Sequence, residues 1–244
     1  MKQRDEKALL AEIEGLRKEI KRLGYAADAV DIQNLMSRYI FYMENGNIGG
    51  VWDDLFSHFS EDVRVEIMDS GAYLGQEHCK RAWDTMAGRV DLEGKPVANR
   101  AAGMSNTNTD RAALLLTLMI STPMIEVADD GLRAWGQWHI FGPHTNRVFD
   151  PATCTKKDTA FWICGKYDNE FVKENGEWKF LKLHPICWLR TPYNKSWLEV
   201  ADCRRTPTPY WPPDEPPTIH SFNPDEGPNP DKWGPFPHEH VPHV

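Results

Sequence analysis

Two short turn signals constrain this chain more than any other feature. Asp129-Asp130-Gly131 separates the apolar run LLLTLMISTPMIEVA (114–128) from LRAWGQWHIFG (132–142). Asn175-Gly176 separates DTAFWICGKYDNEFVKE (158–174) from EWKFLKLHPICWLR (177–190). A connection this short joins strands antiparallel, because parallel neighbours need a long crossover. A loop containing Pro143 and Asn146 is read between the second and third runs. The residues before 89 are patterned as helices, with only brief strand-like pieces at 63–69 and 72–75. Helices first and an antiparallel meander afterwards is an α+β arrangement, not alternating βαβ. No 20–50-residue repeat interrupts it.

The helical part opens unusually. Leu9, Ile13, Leu16, Ile20 and Leu23 are spaced 4, 3, 4, 3, a heptad seam flanked by Glu, Lys and Arg. Gly24 is read as its end, and Asp28 or Asp31 as the cap of a second helix near 29–45. In that second helix Ile32, Leu35, Met36, Tyr39, Ile40 and Met43 form one apolar face. Short helices are read near 51–59 and 76–88, and a polar loop over 89–110.

From residue 203 the character changes. Twelve of the eighteen prolines fall there, which removes too many backbone donors for a helix or an inner strand. The segment also carries Tyr210, Trp211, Ile219, Phe222, Trp233 and Phe236, so it is read as an extended arm that docks aromatics on the domain or on a neighbouring subunit. Three regions follow: a helix at 1–25 serving oligomerisation, a domain at 26–200 and the arm at 201–244.

Net charge is -8, which argues against nucleic acid and against an anionic membrane surface. No apolar run is long enough to span a bilayer, and the charged N-terminus lacks the apolar core of a signal peptide. The five cysteines are odd in number and contain no CxxC pair, so they are read as reduced thiols in a cytoplasmic protein. The tail His238-Glu239-His240-Val241-Pro242-His243 is read as incidental and not as a metal site. No phosphate-cradling glycine loop is present, so no cofactor is expected.

The string DIQNLMSRYIFYMENGNIGGVWDDLFS, then EDVRVEI, YLGQEHCKRAW and GKYDNEFVKENGEWKFLKL, resembles SnoaL-like members of the NTF2-like superfamily over about 26–192. The resemblance implies a cone: a curved antiparallel sheet wrapped around helices, with a deep apolar pocket. It also implies a choice of reactions. Dehydratases, a dehydrochlorinase, isomerases, polyketide cyclases and non-catalytic binders share this fold, and fold alone does not select among them. Bile-acid 7α-dehydratase, scytalone dehydratase and the dehydrochlorinase are the nearest in pattern. By that resemblance Tyr39 matches a helix tyrosine, Arg190 matches a late-strand arginine, and Glu44 falls where the dehydratase has Asp. The family's base histidine falls near Leu118–Ser121, where this chain has none. Another histidine serves, or the reaction differs, or there is none.

His139 and His184 lie in strand-like runs and could act as general bases near neutral pH. Tyr39 could assist a leaving group. Glu44 could orient a histidine or act as base itself. Arg190 could bind a carboxylate or phenolate. Tyr42, Trp138, Trp162, Tyr167 and Trp188 are expected to line the pocket. These readings point to a cofactor-independent lyase acting on a hydrophobic, oxygenated cyclic molecule, with an isomerase or cyclase and a non-catalytic binder as the alternatives. A homo-oligomer, dimer or trimer, is expected from the heptad seam and the open sheet.

Overall fold

The computed structural model describes residues 2–67, 71–91, 93–96, 115–150, 155–199 and 212–216. The Pro-arm aromatics, the histidine-rich tail, most of the polar loop at 89–110, Cys154 and Cys203 lie outside these residues.

Helix α1 runs unbroken over Lys2–Asn45, 44 residues. Gly24 therefore does not end a helix, and Asp28 caps nothing. A side chain at Gly24 would meet open space, and a mid-helix glycine costs only about 1 kcal/mol, too little to interrupt good helix formers on both sides. Ile32, Leu35, Met36, Tyr39 and Ile40 are buried against the sheet. The seam residues Leu9, Ile13, Leu16, Ile20 and Leu23 are exposed and do not pack on their own domain. Asp28 is buried instead as an anchor. Its Oδ1 accepts from Lys173 Nζ at 2.5 Å and Trp178 Nε1 at 3.0 Å, and the Lys173 ammonium lies 5.2 Å from the Trp178 ring centroid.

After Gly46 the chain turns through α2 (Ile48–Gly50) and a π-helical turn (Val51–Leu55) that buries Trp52 and Leu55. Strands β1 (Arg64–Ile67) and β2 (Gly71–Leu74) form a small hairpin, and α3 (Gly75–Met86) packs Cys79, Ala82 and Trp83 inward. Then come β3 (Met119–Val127), β4 (Arg133–Asp150), β5 (Thr155–Glu174), β6 (Glu177–Leu183) and β7 (Pro185–Pro192). The sheet order is β2-β1-β6-β5-β4-β3, with β7 also paired to β5. All pairs are antiparallel except β1 with β6. The architecture is the α+β NTF2-like cone: a curved open sheet with helices on its inner side.

Two sequence readings change here. The expected loop at 143–157 is largely strand, since β4 and β5 stay paired out to Asp150 and Thr155. The single strand expected at 177–190 is two, broken at His184. Asn169 Oδ1 accepts from the backbone N–H of His184 at 3.0 Å, and the His184 carbonyl accepts from Asp168 N at 2.9 Å. As a result β6 pairs with the C-terminal end of β5 and β7 with its middle. Both turn signals behave as read. Asn175 and Gly176 have φ of 52° and 85°, the left-handed pair that a two-residue hairpin turn demands.

A short piece of the arm docks on its own chain. Glu215 bridges Ala72 in antiparallel fashion, and its carboxylate meets Arg64 Nη1 at 2.6 Å. Asp214 accepts from Leu74 N at 2.8 Å and lies 2.8 Å from His78 Nδ1.

Replacing Asp28 by Ala strands a largely buried Lys173 ammonium and an indole donor, so we expect a loss of about 3 kcal/mol in denaturant unfolding. Gly165→Ala should cost at least about 2 kcal/mol by the same measurement, because its Cβ would stand 2.1 Å from the Ile186 carbonyl oxygen.

Candidate active site

Side chains alternate across a strand, and directly paired residues share a face. On β4, Ala134, Trp138 and Ile140 are buried toward α1, while His139 and Phe141 face outward and are exposed. Register then sorts β5. Tyr167 lies beside Trp138 and Ile163 beside Gly142, on the inner side. Lys166 lies beside His139 and Trp162 beside Pro143, on the outer side. On β7, Arg190 pairs with Ile163 and is inner.

The expected residues therefore divide. Tyr39 and Tyr167 meet in the interior. Their hydroxyls are 3.4 Å apart and their rings pack edge to face at 5.7 Å. Arg190 is buried on the same inner face, its guanidinium carbon 5.3 Å from the Phe161 ring centroid. Its row is four residues along β5 from Tyr167, about 13 Å at the usual strand rise. Trp138 is inner too, but its indole N–H is committed to Gln33 Oε1 at 2.7 Å.

The others stand elsewhere. His139, Trp162 and Trp188 are on the outer face. His139 Nδ1 is 2.5 Å from Thr122 Oγ1 and its ring is 5.7 Å from that of Trp188, while Trp162 stacks on Phe141 at 5.3 Å. Thr122 sits at a bulge in β3 with φ of 47°, a conformation that side chains other than Gly, Asn and Asp seldom adopt. His184 occupies the strand break, its Nε2 3.3 Å from the buried Glu66 carboxylate. Tyr42 donates to Asp54 Oδ2 at 3.0 Å near the surface. Glu44 is exposed at the end of α1.

The interior is strongly apolar. Rings touch in series from Tyr39 to Phe180 at 5.7 Å, Phe180 to Phe56 at 5.4 Å and Phe56 to Trp83 at 5.9 Å. Burial pushes the Tyr39 hydroxyl up to about 12, with the Tyr167 hydrogen bond opposing slightly. Burial also lifts Tyr167 well above the ordinary phenol value, reinforced by its neighbour Tyr39. Both phenols are neutral at physiological pH. Two hydroxyls share one hydrogen bond, so one proton is left without an acceptor among the described residues. The Trp83 indole N–H is a second buried donor with no partner among them. Cys79 is no nucleophile: burial raises its thiol to about 12, and it donates to the Tyr73 carbonyl at 3.1 Å.

Sequence reading did not single out Trp83, Glu66 or His144. His144 pairs with Phe161 on the inner face, in the stretch read as loop. Counting by twos from Trp138 would have placed it there.

A family model described as a SnoaL-like domain matches residues 24–184. The chain belongs to the SnoaL-like family. Among solved structures, this SnoaL-like chain is similar to a scytalone dehydratase candidate from Novosphingobium aromaticivorans, at 15% identity and TM-score 0.47, covering 71% of this chain and 92% of that one. It is similar also to a type 3 hexachlorocyclohexane dehydrochlorinase from Novosphingobium barchaimii, at 15% identity and TM-score 0.47, covering 72% and 96%. At this distance neither decides the reaction. No curated protein matches the chain. No helix among the described residues of this SnoaL-like chain is long and apolar enough to cross a membrane.

The buried phenols carry a pH dependence. In the unfolded chain they ionise near pH 10, whereas Tyr39 in the fold holds its proton to about 12. The unfolded state thus sheds protons first, and stability falls as pH rises from about 10 toward 12. Urea midpoints across that range should show the fall, and Tyr39→Phe should make it shallower.

Proposed function

We propose that this chain is a cofactor-independent lyase that eliminates water or a similar group from a hydrophobic, oxygenated cyclic molecule held inside the cone. The observation that carries this reading is the buried Tyr39–Tyr167 pair with one proton unaccepted. A buried donor without an acceptor costs about 1–3 kcal/mol, and a ligand oxygen would recover it. The aromatic series from Tyr39 to Trp83 supports an apolar ligand.

The raised pKa indicates how the phenols would work. A phenol near 12 gives up its proton reluctantly, so Tyr39 would hold a hydrogen bond to the oxygen on which negative charge grows. The stabilisation is electrostatic and needs no water. Arg190 would bind a second oxygen or an anionic group farther along the inner face. His144 shares that face and is the imidazole we assign as base; His139 and His184 point to other surroundings.

One observation favours a second reading, a non-catalytic small-molecule binder. No described imidazole or carboxylate hydrogen-bonds to either phenol. An isomerase or cyclase would differ in its product, which keeps the mass of the substrate. We further propose a homo-oligomer in the cytoplasm, with Cys79 and Cys164 as reduced thiols.

The test is turnover on a panel of hydrophobic cyclic alcohols and ketones. Loss of one water should be seen, and Tyr39→Phe should lower kcat by about 100-fold with little change in ligand affinity. Tight binding with no turnover would favour the binder. Undiminished turnover in Tyr39→Phe and Tyr167→Phe would sink the proposed role of the pair.

A further inference from the structure

We propose that the outer face of α1 zips against the same helix of a second copy, parallel and in register, as a two-stranded coiled coil. This rests on the self-association proposed above and adds what that reading lacks: the surface, the number of chains and their direction.

The seam is more than apolar. Its residues are 38–68% exposed in the single chain, from Ile13 to Ile20. The 4-3 spacing puts Ile13 and Ile20 at the first core position of the heptad (a) and Leu9, Leu16 and Leu23 at the second (d). Isoleucine at the first and leucine at the second is the combination that favours two parallel strands over three or four. Ala27 and Val30 continue the same two positions, and Val30 is 59% exposed. Polar Asn34 and Ser37 then end the seam.

The rest of the helix is arranged around that face. Lys21, Tyr25, Asp28, Ile32, Leu35, Met36 and Tyr39, which hold α1 to the domain, fall at b, c or f heptad positions, the side that a coiled coil leaves outward. The further domain contacts of Gln33 and Ile40 fall at the flanking g position, so none of these residues stands at a or d. The seam and the domain thus occupy opposite sides of one helix, and two copies can pair without displacing either sheet. Among the described residues, the polar contact of the helix with the body before residue 25 is with Asp129, which meets Lys21 Nζ at 2.8 Å. Most helical stability in proteins comes from packing of an apolar face, which this stretch lacks in the single chain, and it carries Gly15 and Gly24. A partner along the seam supplies the missing stabilisation.

Charge selects the direction. Glu12 and Arg17 flank the seam at the g and e positions. In a parallel in-register pair each Glu12 meets the partner's Arg17, twice by symmetry. An antiparallel pair sets like flanking positions against each other instead, and that places Glu against Glu or Arg against Arg.

The experiment uses the full chain and light scattering across a dilution series. Wild type should be a dimer, and Ile13→Asp with Leu16→Asp should be a monomer with its sheet intact by circular dichroism. Glu12→Arg alone and Arg17→Glu alone should each weaken the homodimer by on the order of tenfold, and mixing the two should restore wild-type affinity, because both cross-chain pairs become complementary again. A monomeric wild type would overturn this proposal and the self-association reading together. A trimer, an oligomer indifferent to the Ile13 and Leu16 changes, or no recovery on mixing would overturn the coiled coil and leave self-association standing.

Discussion

The interior of this protein is walled by long strands whose backbones are approached closely at two positions without side chains. A Cβ at Gly142 would stand 1.8 Å from the Thr117 carbonyl oxygen, and one at Gly165 would stand 2.1 Å from that of Ile186. Both glycines are on the inner side of β4 and β5, beside the rows that carry Ile140 and Ile163. Neighbouring backbone fills the space a side chain would take, and a register shift between Cys164 and Gly165 accompanies it.

The helix must also be held at the correct depth. The Asp28 contact with Lys173 and Trp178 does this near the turn end of the sheet, and the ring contacts of Tyr39 do it farther along. One is ionic and directional, the others apolar and adjustable. The directional contact sets the register of α1, and the apolar contacts fill what remains.

Much of this was legible in the amino-acid order. The Asn175-Gly176 turn set the pairing of β5 with β6, and the spacing of Ile32, Leu35, Met36 and Tyr39 gave the buried side of α1. Tyr39, Tyr167 and Arg190 were named from sequence and share the interior. What escaped has a physical reason in each case. Gly24 looked like a stop because its position, not its surroundings, was visible, and in open solvent it costs too little to stop a helix. The break at His184 is made by Asn169, fifteen residues away, through a side-chain hydrogen bond that no local pattern records. His139, Trp162 and Trp188 were assigned to the pocket by residue type, whereas strand parity and register put them on the far side.

The docked piece of the C-terminal arm changes the character of the sheet's border. Strand β2 is the last in its order, so its outer backbone groups would otherwise be open to another strand. Ala72 instead exchanges hydrogen bonds with Glu215 and Asp214. Prolines at 212, 213 and 216 surround that short bridge, and a proline lacks the donor needed to carry pairing outward. The arm thus ends the sheet with a strip that cannot be extended, which is a safeguard against aggregation along that edge, written into the same chain.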